Sequence, residues 1–497
     1  SNVGIYYTGT GTVTISGGEI SGDADGIYST NSSGNVKITG GKITSYVSTG
    51  IYGYATVTVS GGTVTSEVSC GIEHMGSSTV TITGGTVKGV RIASSSGKLT
   101  LGNSANSVST TTPNITQSSS GYGVSIVGGA TFNFYDGQIT GTISAGAING
   151  TVTAKPTNYE VGYTVDSSAG TETASLYTTS TFEAKIGTRN FVKLQDAFNY
   201  ANEKSSSSNK LTIEVLKSIT VPNTVTLNSD KYATLNVGTN TITKTTSDYL
   251  IKNNGNLELT GTGTIQHSAN TCVYNGGNLT INGPKIISTS ARGIFTYGNL
   301  IIQNGEITGQ TDAIVTSGSS SNVSLNGGKV TGKTGYGVSL EGNITIIGGE
   351  IIGQNDGING WSSTTSRVTM SGGKVTSLSK TGMSLEGDIT ITGGEVTGIY
   401  IGDGTLTLGT NDSNVSATTP KITQKVDDGY GIDGQGATEV NFYDGQVTGR
   451  ISEGAINISI TDIPAEYQVK YITNESEGTQ TAILEKKGEI PTPTISE

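Results

Sequence analysis

One phrase recurs along the chain and limits what it can fold into. It appears as Val13-Thr-Ile-Ser-Gly-Gly-Glu-Ile-Ser-Gly22, then as Val36-Lys-Ile-Thr-Gly-Gly-Lys-Ile43, Val57-Thr-Val-Ser-Gly-Gly-Thr-Val64 and Val80-Thr-Ile-Thr-Gly-Gly-Thr-Val87. It returns at Leu279, Leu300, Val323, Ile344, Val368 and Ile389. With the second turn residue as anchor, Gly18, Gly41, Gly62 and Gly85 are 23, 21 and 23 residues apart. Pro284, Gly305, Gly328, Gly349, Gly373 and Gly394 follow at 21, 23, 21, 24 and 21. Self-similarity at such a period is the mark of a solenoid.

Within each phrase apolar and polar residues alternate, which describes a short strand with one buried face. The Gly-Gly pair permits a turn that a Cβ would obstruct. A second strand follows around Ile20, then a loop, then a third strand at Gly26-Ile27-Tyr28. Three short strands per repeat make one coil of a parallel β-helix, and coils stack at roughly 4.8 Å. Inward residues then form ladders such as Ile15, Ile38, Val59 and Ile82. No coil buries these residues alone, so stacking makes the core. The residue after the turn alternates in charge: Lys285, Glu306, Lys329, Glu350, Lys374, Glu395. Neighbouring coils attract in this register, while a slip of one coil sets like charges side by side. Each exposed pair is worth about 0.2–1 kcal/mol, which reads as register control.

Composition agrees with many short strands and excludes several functions. Of 497 residues 74 are glycine, and only 13% are charged, too few long apolar stripes for a helical protein. The net charge is −11 with no Lys/Arg cluster, so a nucleic acid or an anionic membrane is repelled. Cys70 and Cys272 fall in different halves, which argues against a disulfide. His74 and His267 offer no zinc-ligand spacing. No cofactor is expected. The chain opens inside a repeat at Gly4-Ile5-Tyr6, shows no signal peptide or long apolar span, and reads as part of something longer. Abundant Thr and Ser with almost no Cys points to an exported, extracellular protein.

A larger duplication overlies the coils. Gly97-Lys-Leu-Thr-Leu-Gly102 matches Gly404-Thr-Leu-Thr-Leu-Gly409, Thr111-Thr-Pro113 matches Thr418-Thr-Pro420, and Asn133-Phe-Tyr-Asp-Gly137 matches Asn441-Phe-Tyr-Asp-Gly445. Both copies end in strand–turn–strand patterns, Tyr159–Tyr177 and Tyr467–Leu484, expected to close the last coil as hairpins. Leu194, Ala197, Phe198 and Ala201 fall at i, i+3, i+4 and i+7, an amphipathic helix over about 190–204. The expected organisation is therefore all-β: two tandem right-handed parallel β-helix modules. Module 1, residues 1–179, is N-terminally truncated and ends in a hairpin cap; module 2, residues 180–487, opens with the capping helix; residues 488–497 form a linker.

The Gly-Gly coils, the Leu194-Gln-Asp-Ala-Phe198 helix and the Asn-Phe-Tyr-Asp-Gly close resemble repeat modules of large Gram-positive bacterial cell-surface proteins with a pectate-lyase-like architecture. The resemblance covers nearly the whole chain. It implies a bacterial cell-surface or secreted location, and it leaves function open, because that superfold hosts both enzymes and adhesins.

Each candidate site competes with a plain structural role. Asp25, Asp312 and Asp356 share one coil position, before Gly-Ile or Ala-Ile, where a calcium or catalytic role competes with an Asx turn; the turn is favoured. Asp427-Asp428 is the only adjacent Asp pair. Arg292 and Arg367 have no evident carboxylate constellation, and Asp136 and Asp444 read as turn residues. The aromatic positions are better candidates. Tyr6, Tyr28 and Tyr52 follow the inward Ile of successive coils and should point outward; Tyr54 lies near them, and Tyr274 and Phe295 hold the equivalent place later. Trp361, the only tryptophan, falls in the lengthened gap. Exposed aromatics offer flat faces to sugars or proteins, while a self-stacking ladder is the competing role. The expected function is a non-catalytic scaffold or adhesin-like protein binding glycans or glycoproteins. A polysaccharide lyase or hydrolase of the same superfold and a passive spacer stalk are the alternatives.

Overall fold

The structure, a computed structural model, describes residues 2–103, 108–360, 366–410, 415–435 and 438–488. About half the chain is strand, and the strands stack in parallel as a right-handed β-helix of about 19 turns in all. The chain divides into two compact units, Ser1–Ser205 and Ser206–Glu497.

In the first unit each coil carries three strands. The Gly-Ile-Tyr strands stack as a seven-stranded parallel sheet from Ile5–Tyr7 to Ile148–Asn149. The phrase itself forms a six-stranded sheet from Thr12–Ile15 to Thr131–Phe134. The strand after the Gly-Gly turn, such as Glu19–Gly22 paired with Lys42–Ser45, makes the third wall. Ile15, Ile38, Val59 and Ile82 stand in register as expected, and the ladder continues through Leu101 to Phe134. All six are buried. The second unit repeats the plan, with a ten-stranded Gly-Ile-Tyr-type sheet from Val225–Leu227 to Ile432–Gly434.

The two glycines of the turn have separate reasons to be glycine. A Cβ on the first, Gly40, would sit 2.6 Å from the Ser16 carbonyl oxygen of the coil below. The second, Gly41, has φ of 80°, where an L side chain is strained. At Pro284 the expected turn is replaced: Asn278–Ser288 and Asn299–Gly309 run through the corner as continuous strands, with a register shift near Asn282.

Hairpins close both ladders as the sequence suggests. In the first unit Thr171–Thr178 pairs antiparallel with both Tyr159–Asp166 and the last coil strand Gln138–Thr142. In the second, Thr479–Lys486 does the same for Tyr467–Asn474 and Gln446–Arg450. Reversing the strand direction ends the parallel stack.

The helix differs from expectation in extent and in place. It spans Leu194–Lys204, because Arg189–Phe191 is a strand paired with Ala184–Ile186 and Tyr163. The expected face is buried: Leu194, Ala197, Phe198 and Ala201 are fully inaccessible. With a division at 205 rather than 179, this helix belongs to the first unit. The cause is local. Asp196 accepts hydrogen bonds from the Val165 amide at 2.9 Å and the Lys193 amide at 3.1 Å, which ties the helix start to the closing hairpin. Glu183 accepts from the Leu194 amide at 3.0 Å. Arg189 reaches back over the Tyr163 ring at 3.7 Å and to the buried Glu172 carboxylate at 2.5 Å.

Candidate functional site

The Gly-Ile-Tyr strands bury their first and third residues and turn the middle one outward, so outward residues of stacked coils form a file. In the first unit the file reads Tyr6, Tyr28, Tyr52, Glu73, Arg91, Ser125, Asn149. The three tyrosines do come together. Ring centroids are 5.4 Å apart for Tyr6–Tyr28 and 5.5 Å for Tyr28–Tyr52, tilted by 54° and 36°. Neighbouring rings partly cover one another: Tyr6 is 62% exposed, whereas Tyr28 and Tyr52 are half-buried. Burial, and then the Glu73 charge, raise the Tyr52 phenol pKa. Tyr54 is exposed but lies past the end of its strand, outside the file. Where the aromatics stop, Glu73 and Arg91 form an ion pair across adjacent coils.

In the second unit Tyr274 and Phe295 occupy the expected file positions, between Lys252 on the preceding coil and Val315 on the following one. Their centroids are 6.2 Å apart. Two further rings join them: Tyr249 lies 5.1 Å from Tyr274, and Tyr297 lies 5.0 Å from Phe295 at 88°. Lys252 Nζ sits 5.6 Å from the Tyr274 ring centre, and the Arg292 guanidinium 5.5 Å from that of Phe295. The result is a four-ring corner flanked by two cations. Tyr249 and Tyr297 precede and follow the short strands, so strand alternation alone does not point to them. Trp361 lies outside the described residues.

The carboxylates take structural places. Asp25, Asp312 and Asp356 do not close local Asx turns. Each accepts an amide hydrogen bond from the next coil: Thr49 at 3.1 Å, Tyr336 at 2.8 Å and Thr381 at 3.3 Å. They staple coils together. Asp136 and Asp444 accept from the amides of their own Gly137 and Gly445, at 3.1 and 2.9 Å, as turn residues do, and also from the Ser109 and Ser416 amides of the preceding coil. Arg367 pairs with Asp388 at 3.4 Å on the surface. Among the described residues no group of three or more His, Cys, Asp or Glu is arranged to hold a metal ion. Both cysteines are buried and unpaired, and burial pushes the Cys70 thiol up to about 11.

A polar file also runs beside the second unit's phrase strands. Asn278, Asn299, Asn322 and Asn343 each donate an amide hydrogen bond to the Asn one coil before, at 2.7, 2.7, 3.3 and 3.1 Å, starting from Asn256. Its signal is the Asn that precedes the first apolar residue of each of these phrases.

Comparison with protein-family models, curated proteins and solved structures returns no match. Among the described residues no helix is long and apolar enough to cross a membrane.

Proposed function

We propose that the chain is a non-catalytic extracellular scaffold, of the bacterial surface kind its repeats resemble, that displays an aromatic face to glycans or glycoproteins. The observation that carries this reading is the corner made by Tyr249, Tyr274, Phe295 and Tyr297, with Lys252 and Arg292 beside it. Two rings at 88° cradle a ligand from two sides. Their π faces suit the C–H face of a sugar, and the cations donate to its oxygens. The rings stand on or beside short strands of a stacked frame, so little ordering cost is expected on binding.

The test is binding of the whole chain to an array of glycans, mucins and serum proteins. A variant with Tyr274→Ala, Phe295→Ala and Tyr297→Ala serves for comparison. Saturable binding that the variant loses supports the reading. Silence from the parent chain overturns it and leaves the passive spacer.

A further inference from the structure

Where the tyrosines of the first unit's lateral file stop, a cavity opens. About 300 Å³ of space opens beside the Glu73–Arg91 pair, lined also by Ser118, Ser120, Tyr122 and Ser125. That is the lower end of the roughly 300–1,000 Å³ range of small-molecule sites.

The second copy of the fold shows that the space is a feature of sequence rather than of architecture. Ser118 and Lys425 hold the same place: each amide donates to the carbonyl of the loop tyrosine, Tyr122 at 2.8 Å or Tyr430 at 2.6 Å, and each packs on a glycine, Gly89 or Gly398. Tyr400 and Asp433 stand where Arg91 and Ser125 stand in the first unit. Lys425 is 3% exposed; its ammonium is held by Asp428 and by Asp433, the latter at 3.1 Å, and lies 5.5 Å from the Tyr400 ring centre. A long cation therefore fills in the second unit what a serine leaves open in the first.

We propose that this cavity is a binding subsite for one neutral pyranose, at the end of the Tyr6–Tyr28–Tyr52 file. The proposal rests on the glycan reading and narrows it to a place and a sugar class. Glu73 brings acceptors and Arg91 brings donors side by side, which matches neighbouring hydroxyls that each donate and accept. The pair is already neutral, so a ligand needs no charge. An apolar ligand would strip water from both ions and return no hydrogen bonds. Ser118, Ser120 and Ser125 add hydroxyls on the walls, and the Tyr122 side supplies an apolar surface for the C–H face.

The experiment is saturation-transfer NMR on the whole chain with the methyl glycosides of glucose, galactose, mannose and N-acetylglucosamine, and with glucuronate as the charged comparison. At least one neutral glycoside is expected to give a saturable signal. Ser118→Met, which places an unbranched side chain where Lys425 lies in the other unit, should abolish it. Glu73→Gln should weaken it about tenfold, the loss of one charge-assisted hydrogen bond. If Ser118→Met does not fold, the Glu73→Gln result decides alone. No neutral signal, a signal that neither variant changes, or binding of glucuronate only would overturn the proposal. Array binding that depends on Tyr274, Phe295 and Tyr297 alongside silent glycosides would remove the subsite and leave the glycan reading intact. A silent array with a Ser118-dependent glycoside signal would remove the aromatic corner as the glycan face and leave the subsite.

Discussion

Two glycines one coil apart show how much of this fold is decided at single positions. Gly40 and Gly17 occupy the same turn position, and neither has positive φ. A Cβ on Gly40 meets the carbonyl below at 2.6 Å, whereas one on Gly17 meets nothing within 4 Å. Gly40→Ala is expected to destabilise by about 1–3 kcal/mol and Gly17→Ala to stay within about 0.5 kcal/mol. Chemical denaturation of the two variants checks this, and equal effects would mean that close stacking is not what selects the glycine. His267 gives a second case. It is fully buried, with Nε2 against the Asp248 carbonyl and Nδ1 accepting the Ala269 and Asn270 amides at 3.1 and 3.3 Å, so the ring is neutral. Burial lowers its pKa, and does the same to His74. Below the ordinary value of about 6.5 the unfolded chain takes up protons that the folded chain refuses, so stability falls as pH falls. Melting temperatures measured from pH 7.5 to 5 should decline, and less steeply in His267→Gln. A flat profile in the parent chain would contradict the neutral-ring assignment. The aromatic file was legible at this scale because strand alternation sends the residue after each inward Ile outward. Tyr249, Tyr297 and the space left by Ser118 were not, since loop conformation places them and no period reports it.

At the scale of strands and turns, the charge alternation after the turn is realised. Lys285–Glu306 and Lys329–Glu350 close at 2.9 Å each, Lys374–Glu395 at 3.6 Å, and Lys421 reaches Glu395 at 3.9 Å. These side chains are between 36% and 48% exposed, so each pair contributes little alone. Their worth is in register, because a slipped coil meets its own sign. Lys329→Glu places three acids on consecutive coils and is expected to cost about 1 kcal/mol at low ionic strength, shrinking at 1 M salt, where the screening length is about 3 Å. Denaturation midpoints at the two salt concentrations decide it; a salt-independent loss would point to packing instead. The coils themselves were readable because a solenoid writes one pattern many times, so ladder and turn positions reinforce each other. The helix was readable as a helix but not as to which unit holds it. Its apolar face shows only that something is covered, whereas the hydrogen bonds that Asp196 accepts from the Val165 and Lys193 amides, which tie it to the first hairpin, depend on three-dimensional proximity.

For the whole molecule, stacking implies energetics close to a sum over neighbouring coils, with cooperativity limited by how far strain passes along the stack. Each compact unit has its own closing hairpin and its own buried ladders, so each carries what it needs to be a cooperative block. Calorimetry of the full chain is therefore expected to give a total enthalpy larger than the van't Hoff enthalpy of any single transition. Local variants should then separate the blocks: Gly40→Ala should lower a transition of the first unit and leave the other in place, and Lys329→Glu should do the converse. If both variants shift one shared transition, and the two enthalpies agree, the units unfold as a single block, and the coil-by-coil description of stability fails at this length.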